Sequence, residues 1–183
     1  MADEEKKKKG PPYEILPNKQ ILPMIGFGTY LLRDEQLLTD LLRKGLKMGY
    51  CKHIDAARYY NNEIPLGRAI KTVIKEERCK REDLIIATKN FNHYKSNPVL
   101  ELKEAISLMQ LDYVDIYYLH WPISDMDPEG KEFTHKPLEE VWAEMEMCVK
   151  KGYTKHLGIS NFNGQLVNDL LCYAKIKPVV LQI

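Results

Sequence analysis

Six short β-rich runs recur along this chain at intervals of about thirty residues, and amphipathic stretches separate them. The predicted strands are 25–30, 53–57, 84–88, 114–120, 156–160 and 179–183. A spacing of about thirty residues is typical of a repeated strand–helix–strand unit. Near-continuous apolar runs such as 114–120 favour a parallel sheet that is covered by helices. The sequence therefore predicts an α/β protein with a parallel sheet.

The segments between these runs carry helical signals. Apolar residues at i, i+3 and i+4 spacing, closed in places by glycine, predict helices at 35–48, 64–77, 98–109, 137–151 and 164–174. Within the fourth of them, Trp142, Met145 and Met147 are predicted to be core residues. Before the first strand, the apolar runs 13–16 and 21–24 flank a Pro-Asn turn and predict a small hairpin.

Two architectures share this rhythm, the doubly wound sheet and the (β/α)₈ TIM barrel. The doubly wound sheet would carry a GxGxxG turn between its first strand and first helix. Here Gly26-Phe27-Gly28 lacks the third glycine and does not lead directly into a helix. The pattern therefore favours a barrel, which in full needs about 250 residues. We expect an incomplete barrel of about six of the eight βα units, preceded by the hairpin.

Composition limits the domain organisation and the partners. The charged stretch 1–12 predicts a disordered tail, 13–183 predicts one barrel domain, and the polar insertion 123–136 predicts a functional loop. A net charge of +1 argues against a nucleic-acid partner. No run approaches the roughly 18 apolar residues of a membrane span, and the charged N-terminus is unlike a signal peptide. The four cysteines and five histidines show no metal-ligand spacing. We expect a cytoplasmic protein with no membrane contact and no metal.

Polar residues stand at or just after the ends of three successive predicted strands. Asp55 lies near the end of the second predicted strand, Lys89 directly after the third, and His120 at the end of the fourth, while Tyr60 lies five residues after Asp55. In a barrel, the carboxyl ends of the strands form one catalytic face. Each residue alone has a structural explanation, such as a cap or a packed side chain. Four such residues at successive strand ends indicate an active site.

Several motifs resemble those of the aldo-keto reductase family. The family pattern D-x-A-x-x-Y-x-N-E falls on Asp55, Ala57, Tyr60, Asn62 and Glu63. The segment IIATK places the family lysine at Lys89, and YYLHWP places its histidine at His120. The segment LGISNF supplies Ser160-Asn161, and VVLQI supplies Gln182. The resemblance covers residues 13–183 in unbroken order, with one departure at Cys51, where the family usually has arginine.

The resemblance implies reduction of aldehydes and ketones to alcohols by hydride transfer from NADPH. In such an enzyme Tyr60 would donate the proton, Lys89, held by Asp55, would lower the pKa of Tyr60, and His120 would orient the carbonyl. The residues implied to bind the cofactor are Gly28, Thr29, Tyr30, Asp55, Ser160, Asn161 and Gln182. Those implied to line the pocket for a small carbonyl substrate are Tyr30, His120 and Trp121.

Some alternatives remain open at this level. Tyr59 is the nearest rival of Tyr60 as the proton donor. The family's last two strands, which carry its site for the cofactor 2′-phosphate, are not in this sequence. The scaffold could therefore serve as a cofactor-binding regulatory protein, although the intact set of four residues argues against that role, or it could be an inactive fragment. We expect the complete enzyme to be a monomer.

Overall fold

A computed structural model of the chain describes residues 12–90, 97–123 and 136–183. All but the last residue of the predicted tail lie outside this range. So do residues 124–135 of the predicted functional loop.

The described part contains a two-stranded hairpin and a six-stranded parallel sheet. The antiparallel hairpin pairs β1 with β2. In the sheet the strands lie in the same order as in the chain, β3-β4-β5-β6-β7-β8. The strands are β1 (Tyr13–Ile15), β2 (Ile21–Pro23), β3 (Phe27–Gly28), β4 (His53–Asp55), β5 (Ile85–Asn90), β6 (Val114–Leu119), β7 (Thr154–Ser160) and β8 (Val180–Gln182). Sequential order in a parallel sheet with helical connections is the arrangement of a (β/α)₈ barrel. The predicted fold class is confirmed.

Five α-helices in the described part of the chain connect the sheet strands. They are α1 (Glu35–Lys47), α2 (Glu63–Lys75), α3 (Pro98–Met109), α4 (Leu138–Lys150) and α5 (Gly164–Tyr173), and each lies within two residues of its predicted bounds. Asp34, Asn97 and Asn163 begin three of them by accepting a hydrogen bond from a backbone N–H of the first turn. Within the described ranges, no helix is both long and apolar enough to cross a membrane.

The first sheet strand is much shorter than predicted. Only Phe27 and Gly28 pair with β4, whereas the prediction covered 25–30. Just before this pair, Met24 donates its N–H to the carbonyl of Pro12, so the chain there still belongs to the hairpin. The apolar run continues from 21 to 27 through both structures, and the sequence pattern therefore does not mark the point where one ends and the other begins.

Buried side chains form two clusters. The larger fills the space between helices and sheet and includes Trp142 and Met145, as predicted. Met147 is 39% exposed, so its assignment to the core is wrong. Two residues along a helix correspond to a rotation of about 200°, which turns Met147 away from the face that buries Met145. In the smaller cluster, hairpin residues pack on strand residues: Leu16, Leu22, Ile85, Ala87, Ile116 and Tyr118.

Candidate active site

The sheet curls enough to bring distant strands together at their carboxyl ends. Gln182, on β8, places Nε2 3.4 Å from Oδ2 of Asp55, on β4. These strands lie four positions apart in the sheet. The contact therefore joins opposite sides of the curl, and the side chains at the ends of the intervening strands face a common centre.

Lys89 is the buried cation at this centre. Its side chain is 2% exposed, and Nζ donates to Oδ1 of Asp55 at 2.5 Å, to the carbonyl of Ala56 at 3.1 Å and to the hydroxyl oxygen of Tyr60 at 3.2 Å. An ammonium group has three N–H donors, so these contacts use all of them. The sequence indicated two of these partners, Asp55 and Tyr60. The Ala56 carbonyl was missed because a backbone acceptor leaves no signal in side-chain identity.

A short 3₁₀ turn, Arg58–Tyr60, carries Tyr60 into the site. Asn61 ends the turn in the left-handed conformation with φ 51°. Arg58 anchors the turn from outside through ion pairs with Glu63 at 3.2 Å and Glu104 at 2.8 Å. The hydroxyl of Tyr60 lies against Lys89, whereas Tyr59 is 52% exposed. The geometry favours Tyr60 over Tyr59 as the proton donor.

The pKa of Tyr60 beside Lys89 differs from what the family resemblance implies. Burial, together with the Asp55 carboxylate and the Tyr30 hydroxyl, raises the pKa of Tyr60 to about 12. Burial also lowers the pKa of Lys89, and Asp55 only partly opposes that change. The pKa of Tyr60 thus stays above its ordinary value, although Nζ of Lys89 lies 3.2 Å from the phenolic oxygen. Tyr60 is thus protonated at neutral pH and can donate a proton.

His120 lies beside Tyr60 as a neutral imidazole. The two rings meet edge to face with centroids 6.2 Å apart. Burial and the nearby Lys89 charge lower the pKa of His120 to about 4. A neutral imidazole can donate one hydrogen bond to a carbonyl oxygen without bringing a second positive charge next to Lys89. Trp121 stacks on His120 at a centroid distance of 6.2 Å and is 45% exposed.

Asn62 fixes the position of Tyr30 at the same mouth. It is fully buried, and Nδ2 donates to the carbonyls of Thr29 at 2.8 Å and Leu32 at 3.0 Å. Thr29 in turn donates from its hydroxyl and its N–H to the carbonyl of Asp55. The Tyr30 ring therefore stands 5.1 Å from that of Tyr60, centroid to centroid, and is 54% exposed. Asn62 belongs to the recognised motif, but its contacts were not predicted.

The polar groups at the ends of β7 and β8 fit an amide ligand. Asn161 has φ 62°, donates from Nδ2 to Oγ of Ser160 at 3.1 Å, and donates its backbone N–H to the carbonyl of Gln182. Oε1 of Gln182 is a buried acceptor without a hydrogen-bond partner in the described residues. A carboxamide N–H₂ would satisfy this acceptor. Gly28 borders the same mouth, and a Cβ built on it would meet no atom within 4 Å. These residues fit the nicotinamide carboxamide.

Histidine burial predicts a loss of stability in mild acid. The pKa of His120 falls from an ordinary value of about 6.5 to about 4 on folding. The stability that depends on neutral His120 is therefore complete above about pH 6.5 and is lost as the pH falls toward 4. At about pH 5 this loss should reach about 2 kcal/mol. Burial also lowers the pKa of His53 and His156, which adds to the effect.

Urea unfolding of wild type and His120→Gln at pH 7 and about pH 5 measures this contribution. We expect the glutamine variant to lose clearly less free energy of unfolding between the two pH values. The same pH dependence in both proteins would show that His120 is not buried in its neutral form.

Comparison with known proteins agrees with this geometry. The sequence model of the Aldo/keto reductase family matches residues 24–183. The chain belongs to the aldo-keto reductase family. It is 38% identical over 178 residues to aldose reductase C of Dictyostelium discoideum, covering 88% of this chain and 55% of that protein. It is 37% identical over 189 residues to the NAD(P)H-dependent D-xylose reductase of Kluyveromyces lactis, covering 92% of this chain and 57% of that protein.

Solved structures of other aldo-keto reductases share the fold. A Bombyx mori aldo-keto reductase in complex with NADP superposes with a TM-score of 0.85 at 27% identity, covering 96% of this chain and 58% of that one. The aldose reductase of Schistosoma japonicum gives 0.80 at 33% identity, covering 91% and 58%. The chain thus spans somewhat more than half the length of the aldo-keto reductases it matches.

Proposed function

We propose that the protein reduces aldehyde or ketone carbonyls to alcohols with NADPH, and that Tyr60 donates the proton. The observation that carries this proposal is the hydrogen-bonded series Asp55–Lys89–Tyr60, which ends on a phenol at the open mouth of the curled sheet. The bound cofactor supplies the hydride. The residues of this chain supply the proton, the orientation of the carbonyl and the stabilisation of charge.

Tyr60 acts as the general acid because its proton is present at neutral pH and its oxygen is already hydrogen-bonded to Lys89. When the proton leaves, negative charge develops on the phenolic oxygen. Lys89 stabilises that charge at 3.2 Å, in a site where burial strengthens the interaction. Asp55 keeps Lys89 charged and directed at Tyr60, and so acts through the lysine.

His120 orients the substrate. Its neutral ring stands edge to face with Tyr60, so a carbonyl oxygen within reach of both can accept one hydrogen bond from each. Tyr30 and Trp121, both about half exposed, form the adjoining walls of the pocket. Aromatic walls beside two donors suit a small polar carbonyl compound. The names of the aldose and xylose reductase relatives point to sugar aldehydes as the first substrates to test.

In this proposal the nicotinamide carboxamide is bound by Ser160, Asn161 and Gln182. The unpartnered Oε1 of Gln182 accepts a hydrogen bond from the carboxamide N–H₂. The other side of the cofactor site is formed by Thr29, Tyr30 and Asp55, and Gly28 leaves its backbone open to the ligand.

We further propose that residues 13–183 belong to one barrel domain and that the protein acts as a cytoplasmic monomer.

We expect the protein containing this sequence to oxidise NADPH in the presence of D-xylose or a simple aldehyde. We also expect kcat/KM to be higher with NADPH than with NADH. The assay follows the loss of NADPH absorbance with and without the carbonyl compound, and a parallel series uses NADH. Equal kcat/KM values would contradict the cofactor preference alone, whereas no turnover with either cofactor would contradict the activity.

A regulatory, non-catalytic role is the alternative. It requires cofactor binding without turnover. The complete Asp55, Tyr60, Lys89 and His120 set argues against it, because nucleotide binding alone does not need a buried lysine hydrogen-bonded to a phenol. Binding of NADPH measured by protein fluorescence, together with no reduction of any aldehyde tested, would favour this alternative.

A further inference from the structure

Asn90 is a buried amide at the carboxyl end of β5, directly after Lys89. It is fully buried, and its Oδ1 accepts a hydrogen bond from the backbone N–H of His120 at 3.2 Å. The ladder between β5 and β6 pairs Asn90 with Leu119 as its last register position. The side chain of Asn90 thus continues the hydrogen bonding of the sheet one residue beyond the end of β6.

A second amide holds the backbone of the same residue from the other neighbouring strand. Nδ2 of Asn161, just after β7, donates to the carbonyl of His120 at 2.9 Å. His120 lies just beyond β6, where strand pairing no longer fixes the backbone. Asn90 and Asn161 therefore hold its N–H and its carbonyl from opposite sides, and these two bonds set where the imidazole points.

Asn90 makes this contact at a cost to stability. Its Nδ2 is buried and has no hydrogen-bond partner in the described ranges. A buried donor without a partner destabilises a protein, and an apolar side chain of similar size would avoid that loss. Packing alone therefore does not account for an amide here, whereas a contact with the backbone of a substrate-orienting histidine does.

We infer that Asn90 is a positioning residue for carbonyl reduction, acting through the backbone of His120. This inference rests on the proposed function, because the role of His120 in orienting the carbonyl is part of it. Asn90 itself does not touch the reacting atoms. Its effect falls on substrate placement and leaves the cofactor site and the Asp55–Lys89–Tyr60 series unchanged.

The test compares Asn90→Leu with wild type in the protein that contains this sequence. Leucine has the same branched shape and number of side-chain heavy atoms as asparagine and cannot accept the hydrogen bond from His120. We expect kcat/KM for the carbonyl substrate to fall roughly tenfold or more, the range of one lost buried hydrogen bond. The dissociation constant of NADPH should stay within about twofold, and Tm should change little, because removal of the unpartnered Nδ2 offsets the lost bond.

Two further variants sharpen the result. Thr88→Val is the matched control, since Thr88 is also fully buried on β5, and its Oγ1 also lacks a partner in the described part of the chain. Thr88→Val should leave kcat/KM unchanged. Asn90→Asp keeps an oxygen at the Oδ1 position and should recover part of the activity that Asn90→Leu loses. Hydrogen exchange of the His120 amide should be fast in Asn90→Leu and slow in wild type and Asn90→Asp.

Three outcomes would overturn the inference. The first is a kcat/KM of Asn90→Leu within twofold of wild type. The second is an equal loss in Thr88→Val. The third is a loss of kcat/KM in Asn90→Leu that comes with an equal loss of NADPH affinity or a large drop in Tm, which would indicate a general structural role.

Hydrogen exchange of the His120 amide is measured without any turnover of substrate. A protein that reduces no carbonyl would therefore contradict the proposed function, while the exchange would still report whether Asn90 holds the histidine.

Discussion

Tyr60→Phe should lower the kcat of carbonyl reduction by about 10²–10⁴-fold, the usual worth of a positioned general acid. The substitution removes the phenolic proton and keeps the ring, so the aromatic contacts with Tyr30 and His120 persist. NADPH binding should be nearly unchanged, because the hydroxyl faces Lys89 and the residues proposed to hold the nicotinamide carboxamide lie at the ends of β7 and β8. Steady-state kinetics and a fluorescence titration with NADPH measure the two quantities.

Tyr59→Phe is the matched control, since it makes the same chemical change one residue earlier. Tyr59 is 52% exposed, whereas the hydroxyl of Tyr60 lies 3.2 Å from Nζ of Lys89. We expect its kcat to stay within a few-fold of wild type. An inactive Tyr59→Phe beside an active Tyr60→Phe would assign the proton donor to Tyr59 and contradict the proposed mechanism.

The fold was predictable because it depends on periodicity. Strand starts about thirty residues apart and helices with apolar stripes lead to a parallel α/β sheet whatever the exact side chains are. The ends of elements were harder to predict. β3 is reduced to Phe27–Gly28 because the preceding residues pair with the hairpin, and nothing in local composition marks that change of partner.

The side chains of the site were predictable for a different reason. Asp55 is the last residue of β4, Lys89 is the last residue but one of β5, and His120 directly follows β6. The carboxyl ends of parallel strands meet on one face. Contacts made by backbone atoms could not be predicted in this way. Every residue has a backbone carbonyl, and every residue except proline has a backbone N–H, so these groups leave no signal in the sequence. Only the folded structure shows that Lys89 donates to the carbonyl of Ala56 and that Asn90 accepts from the N–H of His120.

Electrostatics was the other limit of the sequence. The family resemblance implies that Lys89 lowers the pKa of Tyr60, yet burial raises that pKa to about 12. The direction of the pKa shift of Tyr60 depends on how much water the phenol loses. It also depends on how closely Asp55 compensates the charge of Lys89, whose Nζ lies 2.5 Å from Oδ1 of Asp55. Neither quantity can be derived from the spacing of residues along the chain. In the proposed mechanism Lys89 therefore stabilises the phenolate as it forms, and Tyr60 is protonated before the reaction.

Lys89→Met tests that role directly and should suppress reduction by at least about 10²-fold, comparable to the loss of one preorganised charge-stabilising donor. Methionine approximates the length of the lysine stem and has no N–H donor. It leaves the carboxylate of Asp55 without its cation, and Asp55 already contributes to the raised pKa of Tyr60. The pKa of Tyr60 should therefore rise further. For alcohol oxidation, Tyr60 must accept a proton, so the rise of oxidation rate with pH should move to higher pH in Lys89→Met.

Rates of oxidation and reduction across the pH range, for wild type and Lys89→Met, measure this shift. The fall in the reduction rate should be nearly independent of pH around neutrality, because Tyr60 keeps its proton there in both proteins. Lys71→Met is the control, since Lys71 contacts only the exposed Gln110 among the hydrogen-bond partners described and lies on α2, away from the mouth. An oxidation profile that stays at the wild-type position while the rate falls would mean that Lys89 serves only to hold the site together. The stabilisation of the phenolate would then have to come from another group.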